Sequence, residues 1–425
     1  MAGATTSTIE LTTSTLPASM AAGHRAVATA GRLSAADHAW WRMTEPDAPL
    51  VAPYLMHLDG HLSRQRAVQE ILPRILLQPK LSRRIDGRRW QPTSIDPSLH
   101  ITEHHVKDGT VEEHLSGRMS RHLDEAHPPW RLELLHETHR TSIAWIVHHA
   151  LADGLATSWL MQSLSDHPPT SGHPAWIPPT PVRRPRATAI PGVLARLGAL
   201  PRRPSTPYVG ALSKHKRIAL SEPLDVKAAT QDMRLDDALL TWVAGGLRRD
   251  LLRRGCDCPA LHAAVPMNVR PPNSYDALGN VFGAVFLQLP VHLDDPTERL
   301  AAVRIERRAG HPATAAHLGS AVFGIMGAGP RWLQKALERL SGSKTTVVLS
   351  HLPTQAEPLQ FCGRTVTGVG AWAPVSSGVS VTISLVSYLG EVRLCIATDA
   401  AQVGDPHALL RCIEQEITAL EAVKR

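Results

Sequence analysis

A stretch crowded with proline, residues 167–207, divides this chain. It holds eleven Pro together with Arg183, Arg184, Arg186, Arg202 and Arg203. Proline fixes φ and brings no backbone N–H, so such a segment is not expected to sustain long regular elements. It reads as a solvated crossover between two folded halves, with a phosphate or membrane contact as the lesser reading for its arginines. Length favours the same division: the chain has 425 residues, and single cores stop growing above about 250 residues. The expected partition is a mobile tail of Ala, Thr and Ser over 1–32, a first half over 33–166, a linker over 167–210 and a second half over 211–425.

Within the first half, Ser34 and Asp37 ahead of Ala39, Trp40 and Trp41 predict a capped helix start. A second helix is expected from Ser63 to Leu77, stopped by Pro79. Alternating apolar residues predict two strands, Arg131 to Leu135 and Thr141 to Val147, and the pattern then switches to helix from Asp153 to Leu164. The second half opens on a helical stripe from Leu235 to Leu252, followed by strands at Leu261 to Pro266 and Val281 to Leu289. Residues 318–329 are apolar but too short to span a bilayer, so a buried helix is the main expectation and an interfacial patch the lesser one. Val379 to Ile396 alternates as an antiparallel hairpin with one buried face, and Pro406 to Val423 closes the chain as a helix.

Composition narrows the function classes. Hydrophobic residues make up 43% and charged residues 20%, the balance of a globular protein rather than a disordered one. The formal charge of +7 permits contact with anionic surfaces or a phosphorylated ligand. With only four Phe and four Tyr, no basic stretch is interleaved with stacking aromatics, and nucleic acid is not an expected partner. Of the five Cys only Cys256 and Cys258 lie close together, at a spacing that suggests neither a disulfide framework nor a zinc site. No apolar run approaches transmembrane length and no secretory signal opens the chain, so a cytoplasmic protein with peripheral membrane contact left open is expected.

The informative segment is Trp145-Ile-Val-His148-His149-Ala-Leu-Ala-Asp153-Gly154. Imidazole is the side chain suited to taking a proton near neutral pH, and a strand end holds it rigidly enough to meet a substrate hydroxyl. Adjacent strand residues point to opposite faces, so only one of His148 and His149 can face a given cleft and the other is structural. Asp153 is expected to hold the loop by pairing with an Arg from elsewhere, and Gly154 to relieve the turn. Opposed side-chain directions and the lack of a third His disfavour a metal at this motif. A chain with 23 His will pair some of them by chance, as His104 and His105 do. The four fixed residues of His-His-x-x-x-Asp-Gly would nevertheless arise by accident only on the order of a few times per thousand such chains.

His-His-Ala-Leu-Ala-Asp-Gly resembles the signature of CoA-dependent acyltransferases and peptide-synthetase condensation domains. From Leu33 onward the chain resembles the bacterial wax ester synthase and acyl-CoA:diacylglycerol acyltransferase family. The likeness is carried by Leu33-Ser-Ala-Ala-Asp37, Pro128-Pro-Trp130, Leu235-Asp-Asp237, Pro266-Met-Asn-Val-Arg270-Pro271 and Leu278-Gly279-Asn280. It implies an α/β fold of two pseudo-symmetric, chloramphenicol-acetyltransferase-like halves, with mixed sheets flanked by helices and a tunnel between them. It further implies His149 as general base, with His148, Asp153, Gly154 and Asn280 completing the site. Arg270 would pair with Asp153, Trp130 and Asp237 would act as structural support, and Asn280 would orient His149 or donate to the oxyanion. Acyl-CoA enters this reading as co-substrate rather than as a resident cofactor. The acceptor is an alcohol such as diacylglycerol or a long-chain alcohol, and a membrane or lipid-droplet surface is the further partner. The alternatives are a condensation-type enzyme with a carrier-bound donor and a non-catalytic lipid-binding homologue. Ser350-His-Leu-Pro353-Thr354 stands where the family has an Asn-Val-Pro-Gly-Pro-like stretch, and Pro-Pro-Trp replaces its Pro-Leu-Trp, which leaves acceptor and chain length open. There is no Gly-x-Ser-x-Gly elbow, and Ser376-Ser377-Gly378 reads as a loop before the hairpin, so a serine hydrolase is not expected.

Overall fold

The computed structural model describes residues 31–168, 186–230, 233–271, 278–354 and 357–423. The expected tail falls almost wholly outside these, as do residues 169–185 of the proline-rich stretch. Fifteen strands are described: β1 Val51–Leu58, β2 Arg83–Asp86, β3 Arg89–Pro92, β4 Ile101–His105, β5 Trp130–His136, β6 Thr141–His148, β7 Lys216–Leu220, β8 Leu224–Asp225, β9 Leu261–Asn268, β10 Phe282–Leu289, β11 Val347–Pro353, β12 Gln360–Phe361, β13 Arg364–Ala371, β14 Val381–Tyr388 and β15 Glu391–Asp399. They form an α/β fold of two mixed sheets and a small β2–β3 hairpin. One sheet runs β12-β13-β1-β6-β5-β4, the other β10-β9-β11-β14-β15-β7 with β8 added beside β15.

The first sheet is not built from the first half alone. β12 and β13, from the second half, complete it by pairing β13 antiparallel to β1. Leu359, Phe361, Cys362, Val366, Val369 and Trp372 thereby enter the apolar core formed by Leu55, Trp130, Trp145 and their neighbours. A separate core gathers around Trp242 and Ile383 in the second half. The halves also exchange polar groups at a sheet edge. β7 ends the second sheet and would present N–H groups at every second residue. Helix Val111–Met119 of the first half and its C-cap Ser120 meet them with acceptors one turn apart: Leu220 N donates to Glu112 Oε1 at 3.0 Å, Ile218 N to Ser116 Oγ at 3.1 Å and Lys216 N to Ser120 Oγ at 2.8 Å. Four helical residues rise about 6 Å and two strand residues about 6.6 Å, so the two repeats stay in step.

Three local expectations need correction. Residues 63–77 form two helices, Arg64–Glu70 and Leu72–Leu76, because Pro73 in the first turn of the second cannot supply the N–H that would carry one helix through. The proline-rich stretch does contain a regular element, helix Ile190–Ala199: Pro191 stands in its first turn, where the missing N–H costs nothing, and no further proline follows until Pro201. The β14–β15 hairpin is buried on both faces, since Thr382 and Ser384 lie inside. Their hydroxyls are satisfied there, Thr382 Oγ1 donating to Ala373 O at 2.7 Å and Ser384 Oγ lying 2.9 Å from Ser350 Oγ. Side-chain hydrogen bonding is what lets a polar strand face turn inward.

Candidate active site

β6 runs through the middle of the first sheet and delivers His148 and His149 at its end. His148 is the last strand residue, opposite Val51 of β1, and His149 N donates to Leu50 O at 2.9 Å. Leu50 holds that carbonyl in place from a left-handed backbone, φ 53°, which a non-glycine residue seldom adopts. The two rings then part. His148 is buried; its Nδ1 accepts from Ala150 N at 3.1 Å, so its Nε2 carries the proton and donates to Thr44 Oγ1 at 2.9 Å. Burial, with the neighbouring His149 and His122 adding to it, pushes its pKa down to about 3. His148 is therefore a neutral hydrogen-bonded ring beside Trp41, 4.9 Å away edge-on.

His149 turns toward the second half. Trp40 stacks on its ring at 3.9 Å and 17°, with Phe282 at 6.1 Å, and Phe323 lies 5.7 Å beyond Trp40. Its Nδ1 meets Asn280 Oδ1 at 2.9 Å. The orientation of that amide is fixed by its other end, where Nδ2 donates to Asp37 Oδ1 at 2.9 Å and to His149 O at 2.8 Å. Both Nδ2 hydrogens are thus used, and the oxygen must face the imidazole. Nδ1 consequently carries the proton, and the Nε2 lone pair is left for other use. Burial lowers the pKa of His149 below its ordinary 6.5, while Asp153, Asn280 and Asp37 act in the opposite sense. The ring is neutral at pH 7.

Two aspartates of the first half clamp the strand entry that carries Asn280. Asp37 stands in the first turn of helix Ala35–Arg42, its N–H capped by Ser34 Oγ at 3.0 Å. Its Oδ1 also accepts from Asn280 N at 2.8 Å, and Oδ2 pairs with Lys80 Nζ at 3.1 Å. Lys80 in turn donates to Leu278 O at 2.9 Å. Asp153 caps helix Gly154–Ser163, accepting Ala156 N at 3.0 Å on Oδ1. Its Oδ2 takes Val281 N at 3.0 Å and lies 2.8 Å from Arg270 Nη1, while Arg270 Nη2 donates to Gly279 O at 2.7 Å. Residues 278 to 281 are held at every backbone polar group named here. Gly279 is required there: its φ is 136°, and a Cβ would come within 3.1 Å of Asp37 Oδ2.

The remaining residues singled out from sequence sit further off. Gly154 does not relieve a turn through unusual backbone, since it is absent from the left-handed set of glycines. A Cβ there would meet Leu352 Cδ1 of β11 at 3.3 Å, so its smallness serves a close approach of the two halves. Trp130 is buried, donates Nε1 to Leu81 O at 2.8 Å and stacks on Trp145 at 4.8 Å, which stiffens β5 against β6. Asp237 opens helix Leu235–Arg253 and pairs with Arg307 Nε at 2.5 Å, tying that helix to helix Pro296–Ala309. Neither touches His149. Nothing in the sequence marks Asp37, Lys80, Trp40, Phe282 and Phe323 as site residues. The sequence places Asp37 in the first turn of a capped helix and in the Leu33-Ser-Ala-Ala-Asp37 segment, and nothing local signals that its carboxylate reaches a residue 243 positions away. Away from this site, ligand atoms of His104, His114 and Glu133 lie within 4.8 Å of one another. Both oxygens of Glu133 are already engaged, by Arg118 at 2.8 Å and His114 at 2.7 Å, so the group reads as an ion-paired network.

Two mixed-sheet halves that meet around a neutral imidazole, with Nδ1 held by Asn280, are the architecture of two-half acyltransferases, and the family likeness is specific. Residues 33–235 match the wax ester synthase/diacylglycerol acyltransferase catalytic domain and residues 278–421 the WS/DGAT C-terminal domain. The chain belongs to the WS/DGAT family. A Mycobacterium tuberculosis protein named as the probable diacylglycerol O-acyltransferase Tgs1 is 24% identical over 345 residues, 72% of this chain and 74% of its own length. The fold is similar to that of the wax ester synthase/diacylglycerol acyltransferase from Marinobacter aquaeolei VT8, with TM-score 0.66 at 16% identity over 92% of this chain and 99% of that one. It is also similar to a starter condensation domain of rhizomide synthetase in complex with C8-CoA, with TM-score 0.62 at 14% identity over 93% and 95%. The chain is an enzyme that transfers an acyl group to an alcohol, with acyl-CoA as a substrate.

Proposed function

We propose that this enzyme esterifies a lipid alcohol, a long-chain alcohol or diacylglycerol, with a fatty acyl group from acyl-CoA, and that His149 Nε2 is its base. The observation that carries the assignment is the Asn280 contact: an oxygen held on Nδ1 leaves Nε2 as the acceptor. Nε2 removes the hydroxyl proton as the alcohol oxygen attacks the thioester carbonyl. Negative charge develops on the carbonyl oxygen, the C–S bond breaks as the C–O bond remains, and the proton passes from the imidazolium to the CoA thiolate. No acyl-enzyme is required. Burial favours the neutral ring, so the base is ready before substrate arrives.

Trp40, Phe282 and Phe323 make the surroundings of the imidazole apolar, which suits an alkyl chain more than a polar acceptor. A free CoA donor, in preference to a carrier-bound one, follows from family membership. Panels of acyl-CoAs and alcohols, read by free-thiol release and product mass, test the reading. Ester formation with fatty acyl-CoA and a lipid alcohol is the expected result. Turnover confined to amines, or to acyl groups on a carrier protein, would replace it with the condensation reading.

A further inference from the structure

Three helices at one face break the rule that a surface helix turns its apolar side inward. Helix Ile190–Ala199 contains one charged residue, Arg196, and this pairs with Glu306. Val193 is buried, but Leu194 is 55% exposed and Leu197 is exposed beside it. Helix Pro312–Ala328 has no charged residue at all, yet Val322 and Ile325 are exposed, the latter by 50%. Helix Arg331–Gly342 presents Trp332, 71% exposed, and Leu340, 56% exposed, with Arg331 and Arg339 beside them, while its acidic Glu338 is turned inward to Gln334 and Lys335. These six side chains are the majority of the large exposed hydrophobic residues among the described residues.

The helices form one continuous surface. Arg186 N, ahead of the first, donates to Thr314 Oγ1 of the second at 3.3 Å. Beyond the first helix, Arg203 N donates to Ser343 O at 2.7 Å and Arg203 Nη1 to Thr345 O at 3.0 Å, at the end of the third. Lys344 Nζ donates to Leu200 O. Arg202, Arg203 and Arg339 line an open groove at that end with Ser343 and Ser377. No carboxylate pairs with Arg202, Arg331 or Arg339 among the described residues. Exposed Trp, Leu and Ile bordered by unpaired arginine are the composition of an element that lies in a lipid interface, with the apolar groups in the acyl boundary and guanidinium groups at phosphate level.

We infer that this face, helices 190–199, 312–328 and 331–342 together, docks the enzyme on an anionic phospholipid surface. The inference rests on the lipid-alcohol reading above and says where such a substrate would come from. Helix Pro312–Ala328 connects the two sites physically. Its outer side carries Val322 and Ile325, and between them Phe323 reaches inward to Trp40, which stacks on His149. Gly327 sets the helix directly against the His149 side: a Cβ there would fall 1.6 Å from Ala35 O, and Met326 O and Gly329 O accept from Arg42. A lipid acceptor leaving the bilayer at this face has the thickness of one helix to cross.

The test is flotation of the full-length chain with vesicles of phosphatidylcholine alone and of an equimolar phosphatidylcholine–phosphatidylglycerol mixture. Binding is expected on the anionic vesicles and should weaken as salt is raised. The triple variant Leu194→Glu, Leu197→Glu, Trp332→Glu should bind at least about tenfold more weakly. Leu252→Glu, equally exposed at 55% but on helix Leu235–Arg253, should bind as the parent does. Thiol release from acyl-CoA with a short soluble alcohol should be unchanged in both variants, which separates loss of docking from loss of the acyltransfer reading. Absence of binding by the parent, equal loss in Leu252→Glu, or a triple variant that binds normally would each overturn the docking face. So would a triple variant that only converts a dimer to a monomer, which would make this face an interface between copies of the chain.

Discussion

Two of the contacts between the halves of this enzyme are built from opposite materials. At one, β12 and β13 cross into the first sheet and bury Phe361, Val366, Val369 and Trp372 against its core. At the other, Asp37, Lys80, Asp153 and Arg270 surround residues 278 to 281 with charge-assisted contacts. Apolar burial is non-directional and roughly proportional to area, so the strand crossing supplies adhesion without specifying fine geometry. A buried ion pair contributes little net stability once its desolvation is counted, but it fixes atoms relative to one another. The polar knot is therefore placed where position matters, under Asn280 and the imidazole, and the apolar crossing where it does not. Glu112, Ser116 and Ser120 against β7 lie between these extremes: they satisfy a sheet edge and fix its register without approaching the site.

The largest effect that would break this comparison concerns His149 itself. General-base catalysis contributes about a hundredfold to ten-thousandfold, so His149→Ala should lose that much in kcat while the chain still folds. A variant with near-normal turnover would remove the base from the mechanism. Next in size is Trp372→Ala at the apolar crossing. Emptying a buried Trp site costs about 3–5 kcal/mol, read as a lower denaturation midpoint, while the fraction still folded should turn over normally because no contact to residues 278 to 281 is lost. Trp372 also donates Nε1 to Ala219 O at 3.1 Å, and a milder Trp372→Phe separates that bond from the volume. If either variant lowered kcat of folded protein, adhesion and geometry would not be separable.

The parts of the site that could be read from sequence are those whose signal is local. The His pair follows from strand alternation and a polar switch within ten residues, and Asp153 and Gly154 follow as the start of the next helix. The pairing partners Arg270 and Asn280 came from resemblance to a family, since an Arg-Pro pair and a Gly-Asn pair are otherwise ordinary loop elements. Asp37 is legible in the capped helix start and in the Leu33-Ser-Ala-Ala-Asp37 segment, and neither gives its carboxylate a role in the site. A carboxylate has two oxygens with room for several donors, and the local pattern reports the backbone N–H it caps near while remaining silent on the rest. The strand crossing was missed for a related reason. β13, Arg-Thr-Val-Thr-Gly-Val-Gly-Ala, is diluted by Gly368 and Gly370, and its alternation fits a strand in either sheet. Which sheet it joins is decided by β1 lying open to it, a property of the folded first half.

Asp37→Ala sharpens the comparison at the next level down. It removes one of the two acceptors of the Asn280 amide and the acceptor of Asn280 N, leaving His149 O alone to hold the amide orientation and, with it, the tautomer of His149. Misplacement of a reacting group by about 1 Å can cost a hundredfold, so kcat should fall by about that factor while KM for acyl-CoA stays near its parent value. Asp37→Asn keeps one acceptor oxygen and should recover part of the loss. A purely structural Asp37 would instead lower the melting temperature of both variants and leave the kcat of folded protein alone.

The smallest effect is on pH dependence, and it distinguishes the two imidazoles at the end of β6. His149 has its pKa lowered by burial and partly restored by Asp153, Asn280 and Asp37, so the acid limb of kcat/KM should lie below that of an ordinary imidazole. Removing the Asp37 charge takes away a restoring contribution, and the acid limb of Asp37→Ala should move to still lower pH. His148 responds to the same acid through stability. Its folded value of about 3, like the values of about 4 for His57 and His100, lies below the ordinary 6.5. The unfolded chain therefore takes up these protons first. The stability they contribute is complete above pH 6.5 and is lost as pH falls toward the folded values. His57→Gln keeps a partner for Ser142, which His57 Nδ1 meets at 2.8 Å, and lies outside the aromatic surroundings of His149. It should make the melting temperature less sensitive to acid and leave the limb of kcat/KM where it was. A limb that moved with His57→Gln but not with Asp37→Ala would mean that the acid loss of activity is unfolding, and that the proton being titrated is not on His149.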